Sequence, residues 1–383
     1  MNTFRIAVDA HWLVCRPRSG ISTYLRGLLN GWAQSEEDLQ VDLIVPFRPD
    51  PVSEELLTHP KFRLVAPSRP MNPVASYRAQ VYWQQFGVPS LVGRDKPDVY
   101  LSPFHLTPLG MPGVRVVTTI HDVCFFSAPP FSRHHWLHTG QLWTACLRAS
   151  RLICISHATH RALAEWSPTI GRQAAMIHNG FEGSTIPRNE AVEAVRKLDA
   201  SLVPQQYLMW VAIPRGGKNP GLLFEIFSAH QRRFPRHKYV IVTPTEFHDE
   251  IRAIAKWAGV ETAVRFYSVD NATRDALYRC ALAFIFPSSC EGFGYPVLEA
   301  MVQGCPAICL QGTSMQELLE GIIPLAPELT TAAFTDTLSS WIMLPEAERE
   351  AVRGRLIERS ANFSSGVMAA KTLAILREAG GKL

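Results

Sequence analysis

The sequence is poor in charged residues and contains no concentrated basic run. Of its 383 residues 19% are charged, the net charge is +4 and the sequence pI is about 8.6. Binding to a nucleic-acid backbone would need a dense basic patch, so no nucleic-acid partner is expected. Hydrophobic residues make up 47% of the chain. That proportion allows large cores, and a chain of this length is expected to form two domains.

Long apolar runs, a signal peptide and closely spaced cysteine pairs are also missing. No apolar stretch approaches the ~20 residues of a membrane-spanning helix. The first residues lack the longer apolar core and the cleavage site of a signal peptide. The eight cysteines form no C-x-x-C pair, and we interpret them as small buried hydrophobic residues of a reducing compartment. The sequence therefore predicts a cytoplasmic protein.

Short β-rich runs alternate with helical stretches along the chain, which is typical of parallel sheets covered by helices. The predicted strands of the first half are Phe4 to Val8, Val41 to Val45, Phe62 to Ala66, Val99 to Ser102, Val114 to Ile120, Arg151 to Ser156 and Ala175 to His178. The helices predicted between them are 21–33, 73–86, 134–148 and 157–166. A turn-rich stretch, Asn179 to Pro187, then precedes a second alternating series that begins at Tyr207. We place a domain boundary near residue 184.

The most informative segment is residues 284–301, FIFPSSCEGFGYPVLEAM. It predicts a buried strand ending at Pro287, a glycine-bearing loop, and a helix with Pro296 at its first position. In open α/β sheets ligands bind in this strand-to-helix crevice. Glu291 falls in the loop and Glu299 in the first helical turn, and neither is expected to pack in a core. The ordinary alternative is a solvated loop acid and an acid favoured by the helix dipole.

A second candidate site is residues 210–220, WVAIPRGGKNP. Asn219 is predicted to cap a helix that has Pro220 as its first residue. The amide groups of that helix end, Arg215 and Lys218 would then converge into a diphosphate site. An exposed basic turn is the alternative, and a P-loop fits poorly because Asn219 follows the lysine.

The first half contributes two shorter motifs. Residues 118–122, TTIHD, end a strand at the edge where ligands bind, although a His-Asp pair at such a place is more often structural. Residues 18–22, RSGIS, join the first strand to the first helix.

Together these motifs resemble the GT4 family of retaining glycosyltransferases, whose signature reads P-S-x-x-E-G-F-G-x-P-x-L-E-A-M. The resemblance implies the GT-B fold, which has two Rossmann-like parallel-sheet domains facing each other across a cleft. The acceptor-binding domain would span 1–183 and the donor-binding domain 184–365, with a C-terminal helix of about 366–383 packing back on the first. Many relatives carry a second glycine where this chain has Ser19.

The resemblance also implies a role for each motif. The catalytic residues would be His121, Glu291, Arg215 and Lys218, with Glu291 at the transferred sugar and the two cations on the diphosphate. Glu299 would hold the ribose. The remaining donor contacts would come from Gly20, Gly292, Phe293, Gly294, Tyr295, Val297 and Leu298. Ser19 and Asp122 would lie on the acceptor side.

Metal chemistry finds little support in the sequence. The D-x-D triplet of metal-dependent transferases is missing, and the histidines near 134–138 and 157–160 have no acidic or cysteine partner at ligand spacing. We therefore expect no cofactor and no catalytic metal. Transfer is expected to follow the front-face route proposed for the family, in which the leaving diphosphate helps to deprotonate the acceptor.

The resemblance is closest to mannosyltransferases of O-antigen and exopolysaccharide synthesis, so GDP-mannose is the first expected donor and a UDP-sugar or dTDP-rhamnose the alternative. A sugar-nucleotide epimerase and a non-catalytic glycan-binding protein of the same fold remain further alternatives. The acceptor would be a glycan or a lipid-linked oligosaccharide. Peripheral contact with the cytoplasmic membrane face is a further expectation, carried by Arg69, Arg78, Arg94, Arg133, Trp83 and Trp136. Core packing of the aromatics is its alternative.

Overall fold

The structure is a computed structural model that describes residues 3–49, 55–127, 129 and 132–381. The chain divides into two compact units. The first combines Met1–Glu182 with Phe363–Leu383, and the second is Gly183–Asn362. Among the described residues, no helix has both the length and the apolar character to cross a membrane.

The described part of the first unit contains a seven-stranded parallel sheet. Its strands are β1 (Phe4–Asp9), β2 (Leu39–Ile44), β3 (Phe62–Val65), β4 (Val99–Ser102), β5 (Arg115–Ile120), β6 (Arg151–Cys154) and β7 (Ala174–Met176). They are arranged in the order β3-β2-β1-β4-β5-β6-β7. The strand order therefore reverses between β1 and β4, which makes their carboxyl ends the expected ligand-binding edge.

The second unit contains a five-stranded parallel sheet within its described residues. Its strands are β8 (Tyr207–Val211), β9 (Lys238–Val242), β10 (Val264–Tyr267), β11 (Ala283–Phe286) and β12 (Ala307–Cys309). The order is β10-β9-β8-β11-β12. All four residues of β11 are buried, as expected for a parallel strand covered by helices on both faces. The predicted fold of two Rossmann-like parallel-sheet domains is confirmed for each unit.

Helices cover both sheets. In the first unit they are α1 (His11–Cys15), α2 (Gly20–Gln34), α3 (Tyr77–Tyr82), α4 (Val88–Asp95), α5 (Arg133–Arg148), α6 (His157–Trp166) and α7 (Pro168–Gln173). Those of the second unit are α8 (Arg188–Leu198), α9 (Pro220–Arg233), α10 (His248–Trp257), α11 (Asn271–Cys280), α12 (Tyr295–Val302), α13 (Ser314–Leu319), α14 (Thr331–Ile342) and α15 (Glu346–Ser360). The last helix, α16 (Ser365–Gly380), belongs to the first unit.

Small residues let α16 lie close against α2. A Cβ atom added to Gly31 would lie 2.4 Å from the Cβ atom of Ala369, and one added to Gly27 would lie 2.8 Å from Ser365 Oγ. Trp32 Nε1 donates to the carbonyl of Ala369 over 3.1 Å. The C-terminal helix is therefore part of the core of the first unit.

The sequence predictions were less accurate between the long elements. The single helix predicted at 73–86 is α3 followed by a π-helix, Trp83–Gly87. It begins later than predicted because the Ser76 side chain caps α3 at its first residue, Tyr77. Cys124 begins the 3₁₀ turn Cys124–Ser127. The first strand does not lead directly into the long α2, since α1 lies between them.

Candidate functional site

The turn between β8 and α9 carries an uncapped helix end. Gly216 and Gly217 have φ values of 61° and 84°, and Asn219 has φ of 48°, all in the left-handed region. Asn219 occupies the N-cap position and Pro220 is the first helical residue, as predicted, but the Asn219 side chain makes no cap hydrogen bond. Its Nδ2 atom donates instead to the carbonyl of Pro287 over 2.9 Å. Among the residues that the structure describes, the first amide groups of α9 have no side-chain acceptor, so they remain able to bind an anion.

Lys218 and Glu291 form the centre of the candidate site. Lys218 Nζ is ion-paired with Glu291 Oε1 and lies 5.2 Å from the centre of the Phe286 ring. Ser288 Oγ donates to the same carboxylate oxygen over 2.6 Å, and Ser314 Oγ donates to the Glu291 backbone carbonyl over 2.9 Å. The side chains of Lys218 and Glu291 are 21% and 12% exposed. Two residues predicted for one site, 73 positions apart in sequence, are thus in contact.

Apart from the Glu291 side chain, the loop after β11 and the start of α12 offer a ligand mainly backbone groups. Gly294 has φ of 101°, and a Cβ atom there would lie 2.9 Å from Met315 Cγ, so both conformation and space favour glycine. The helix α12 begins at Tyr295, which makes Pro296 its second residue and not its first. Phe293, Val297 and Leu298 were predicted to bind the donor, but their side chains are buried in the core. A donor could meet these three only through backbone groups.

Glu299 lies deeper than predicted. It is the fifth residue of α12, beyond the first turn, and its side chain is only 12% exposed. Its Oε1 atom lies 3.4 Å from Arg274 Nη1, and Arg274 is also bonded to Asp275. Burial raises the pKa of the Glu299 carboxyl to about 7, although Arg274 acts in the opposite direction. The expectation that Glu299 stays out of the core is therefore wrong.

Arg215 is separate from the Lys218–Glu291 pair. Its guanidinium donates to both carboxylate oxygens of Glu250, over 2.8 and 3.0 Å, and lies 4.9 Å from the centre of the Phe247 ring. Arg215 and Glu250 are 59% and 45% exposed. Sequence reasoning missed Glu250, which offers no local motif.

The first unit places its predicted residues at the expected edge of the sheet. His121 directly follows β5, and its imidazole packs edge-on against the Tyr24 ring at 4.9 Å. Burial lowers the pKa of His121 to about 4, so this side chain is neutral at pH 7. The Asp122 carboxylate accepts a hydrogen bond from the Cys124 amide over 3.1 Å. Tight placement at the carboxyl end of a central strand fits either a ligand contact or a structural role.

The predicted glycine loop is the start of α2. Ser19 caps this helix by accepting from the Ser22 amide over 3.2 Å, and Gly20 is its first residue. The serine that departs from the family pattern therefore has a structural role of its own.

A buried polar cluster at the end of β1 was not predicted. The Asp9 carboxylate accepts from Trp83 Nε1 over 3.3 Å and from Gln84 Nε2, and lies 2.8 Å from His11 Nδ1. Asp9 and Trp83 are fully buried. Trp83 was expected on an exposed face, with core packing as the alternative, and its burial supports core packing. A carboxylate at the end of a central parallel strand is the signal that could have revealed the cluster.

Comparison with known protein families agrees with this geometry. Residues 18–183 match the model described as "Glycosyltransferase Family 4", and residues 205–321 match "Glycosyl transferases group 1". These two matches together span most of the chain. The chain therefore carries a glycosyltransferase family 4 domain followed by a glycosyl transferases group 1 domain. The second match contains Arg215, Lys218, Glu291 and Glu299.

Individual relatives of this chain are distant. It is 24% identical over 225 residues to "O-antigen chain mannosyltransferase B" of Escherichia coli, a match that covers 54% of this chain and 55% of that protein. The match thus spans about half the length of this curated relative.

Two solved structures share the fold. HepE of Anabaena, solved with UDP and glucose, has a TM-score of 0.75 and 14% identity over 98% of this chain and 100% of HepE. WaaG, a glycosyltransferase involved in lipopolysaccharide biosynthesis, has a TM-score of 0.71 and 15% identity over 97% of this chain and 99% of WaaG. At these identities the likeness concerns the fold.

Proposed function

We propose that this protein is a retaining glycosyltransferase that moves a sugar, first of all mannose from GDP-mannose, onto a glycan or lipid-linked acceptor of a cell-surface polysaccharide. The observation that carries the proposal is the contact between Lys218 and Glu291 beside the uncapped start of α9. A cation and free helix amides suit a diphosphate, and the neighbouring carboxylate suits a sugar whose anomeric carbon becomes positive. The mannosyltransferase relative supports mannose, while HepE keeps a UDP-sugar as the alternative donor.

In this mechanism, the protein's own groups stabilise the leaving diphosphate. Lys218, Arg215 and the α9 amides offset its charge, and Glu291 steadies the developing positive charge on the sugar. His121, neutral at pH 7, is suited to a hydrogen bond with a sugar hydroxyl. An oxygen of the departing diphosphate accepts the proton of the acceptor hydroxyl, and the acceptor attacks from the same face. Configuration at the anomeric carbon is thereby retained.

Nucleotide selection tests the proposal. GDP, UDP and dTDP would each be added to the protein in a thermal-shift assay, followed by turnover of the matching nucleotide sugars. A ligand present at 100 times its dissociation constant stabilises the fold by about 2.7 kcal/mol, which is readily measured as a rise in Tm. We expect GDP to give the largest rise. If none of the three changes Tm, the proposal is rejected.

Activity is expected to persist in excess EDTA, because Arg215, Lys218 and a helix end supply the charge that Mg²⁺ supplies elsewhere. Nucleotide release would be followed with and without chelator after removal of added metal. A magnesium-dependent coupling enzyme must be kept out of the assay. Complete loss of turnover that magnesium restores would show that the site needs a divalent ion.

We also propose peripheral membrane contact through α5. Its outward residues Trp136, Trp143 and Leu147 are 65%, 48% and 76% exposed. Residues 56–164 carry eight more basic than acidic residues, whereas the whole chain carries four more. An exposed aromatic face within a basic segment suits an anionic lipid surface. Arg133, at the start of α5, is exposed, while the side chain of Arg94 lies outside the described residues.

The double variant Trp136→Ser/Trp143→Ser is expected to lose most cosedimentation with vesicles of anionic lipid at low salt. Trp257→Ser is the matched control, because Trp257 is 78% exposed on α10 of the second unit. Binding by the wild type should fall as salt rises, since part of the attraction is electrostatic. Equal binding by the double variant and the control would remove α5 from the contact.

A further inference from the structure

Arg215 and Glu250 lie in segments that follow neighbouring strands. Arg215 lies after β8, Glu250 is the third residue of α10 after β9, and β8 pairs with β9 along its length. The two side chains meet end to end, with Nη1 and Nη2 of Arg215 each bonded to one oxygen of Glu250. The guanidinium of Arg215 holds the pKa of the Glu250 carboxyl below its usual range, so the pair stays charged at neutral pH.

The remaining contacts leave one edge of the guanidinium open. Arginine has five N–H donors. Glu250 takes one from each Nη atom, and the Pro214 carbonyl takes the second from Nη1 over 3.0 Å. The Nε donor and one Nη2 donor have no partner among the residues that the structure describes. These two lie on the same edge and match two oxygens of a phosphate group.

We propose that Glu250 is a positioning residue that fixes Arg215 with this edge presented to the diphosphate of the donor. The inference rests on the proposed function. Both partners are about half exposed, and an exposed ion pair of this kind contributes little to folding stability. Loss of this ion pair would therefore change the affinity for the diphosphate more than the folding stability. An arginine that is already held loses less side-chain freedom when a phosphate binds than one that is free in solvent.

Charge repulsion alone and positioning predict opposite changes in diphosphate affinity when Glu250 is removed. A carboxylate close to a diphosphate repels it, so removing the negative charge alone should tighten binding or leave it unchanged. Positioning predicts weaker binding. The sign of the effect therefore distinguishes the two.

The test measures dissociation constants for Glu250→Gln and for Glu246→Gln. Glu246→Gln is the matched control, because it also removes one exposed negative charge, on the preceding 3₁₀ turn Thr245–Phe247. The first probe is the nucleoside diphosphate, among GDP, UDP and dTDP, that binds the wild type most tightly. The second probe is the corresponding nucleoside, which lacks the phosphates. For Glu250→Gln we expect diphosphate binding about three- to tenfold weaker, the cost of ordering one long side chain. Nucleoside binding and Tm should stay unchanged. Glu246→Gln should bind the diphosphate at least as tightly as the wild type.

A background variant completes the test. In Arg215→Gln, the further change Glu250→Gln should not weaken diphosphate binding any more, because Glu250 favours binding only through Arg215. Diphosphate binding by Glu250→Gln that equals or exceeds the wild type would overturn the inference, as would an equal loss for the nucleoside. If the wild type binds no nucleoside diphosphate at all, the proposed function itself fails and this inference with it.

Discussion

Glu291→Gln is expected to lower kcat by about 10²- to 10³-fold, the usual cost of removing one preorganised electrostatic group. The amide keeps the size of the side chain and can still accept from Ser288 Oγ, which now lies 2.6 Å from Glu291 Oε1. It loses the negative charge that would face the anomeric carbon. Lys218 thereby loses its ion-pair partner. The effect should fall on kcat more than on the KM for the donor.

Steady-state kinetics and melting curves decide this prediction together. Glu320→Gln is the control, since Glu320 is exposed at the end of α13 and lies outside the proposed site. Loss of the partly buried pair with Lys218 should lower the unfolding free energy by about 1 kcal/mol, too little to unfold the protein. Near-normal kcat in Glu291→Gln would remove this residue from the sugar site.

Glu299→Gln is expected to stabilise the unliganded protein at alkaline pH. The folded state raises the pKa of Glu299 from 4.5 to about 7, so it favours the neutral carboxyl. The Glu299 carboxyl does not lower the unfolding free energy below pH 4.5. Its destabilising effect grows as the pH rises through 7, because the carboxyl must then ionise in a buried position. The glutamine variant should therefore match the wild type at about pH 4 and be more stable by about 3 kcal/mol at pH 9. Arg274 keeps its bond to Asp275 in the variant.

The same variant should bind nucleotide about 10- to 100-fold more weakly at pH 8, if ribose hydroxyls donate to the ionised carboxylate as the family resemblance implies. Wild-type affinity should rise between pH 6 and 8, because binding favours ionised Glu299 and releases a proton. Calorimetry in two buffers of different ionisation enthalpy measures that proton. A pH-independent affinity in the wild type, together with normal binding by the variant, would show that Glu299 does not touch the nucleotide.

The contact between Lys218 and Glu291 was largely predictable from sequence. Each residue follows an apolar run that forms a buried strand, and parallel strands end at the same edge of a sheet. Sequence periodicity alone could not show that β8 and β11 are neighbours. That step came from the resemblance to the family, and the structure supports it.

Tertiary contacts explain the predictions that failed. Asn before Pro normally predicts a helix cap, but the left-handed backbone of Asn219 turns its amide toward Pro287, 68 residues further on. Trp83 was expected on an exposed face, with core packing as the alternative. In the structure Trp83 begins the π-helix Trp83–Gly87, and its Nε1 atom donates to buried Asp9, 74 residues earlier in the sequence. No local sequence pattern predicts either contact.

The measurement that tests the central claim most directly is NMR detection of the glycosidic product. The protein would be incubated with GDP-mannose, and in parallel with UDP-glucose and dTDP-rhamnose, together with alkyl mannosides as acceptors. We expect a new anomeric signal with the configuration of the donor. That signal should be absent from Lys218→Met and from Glu291→Gln at the same protein concentration and time. An inverted product, or an epimerised nucleotide sugar without a glycosidic bond, would contradict the account.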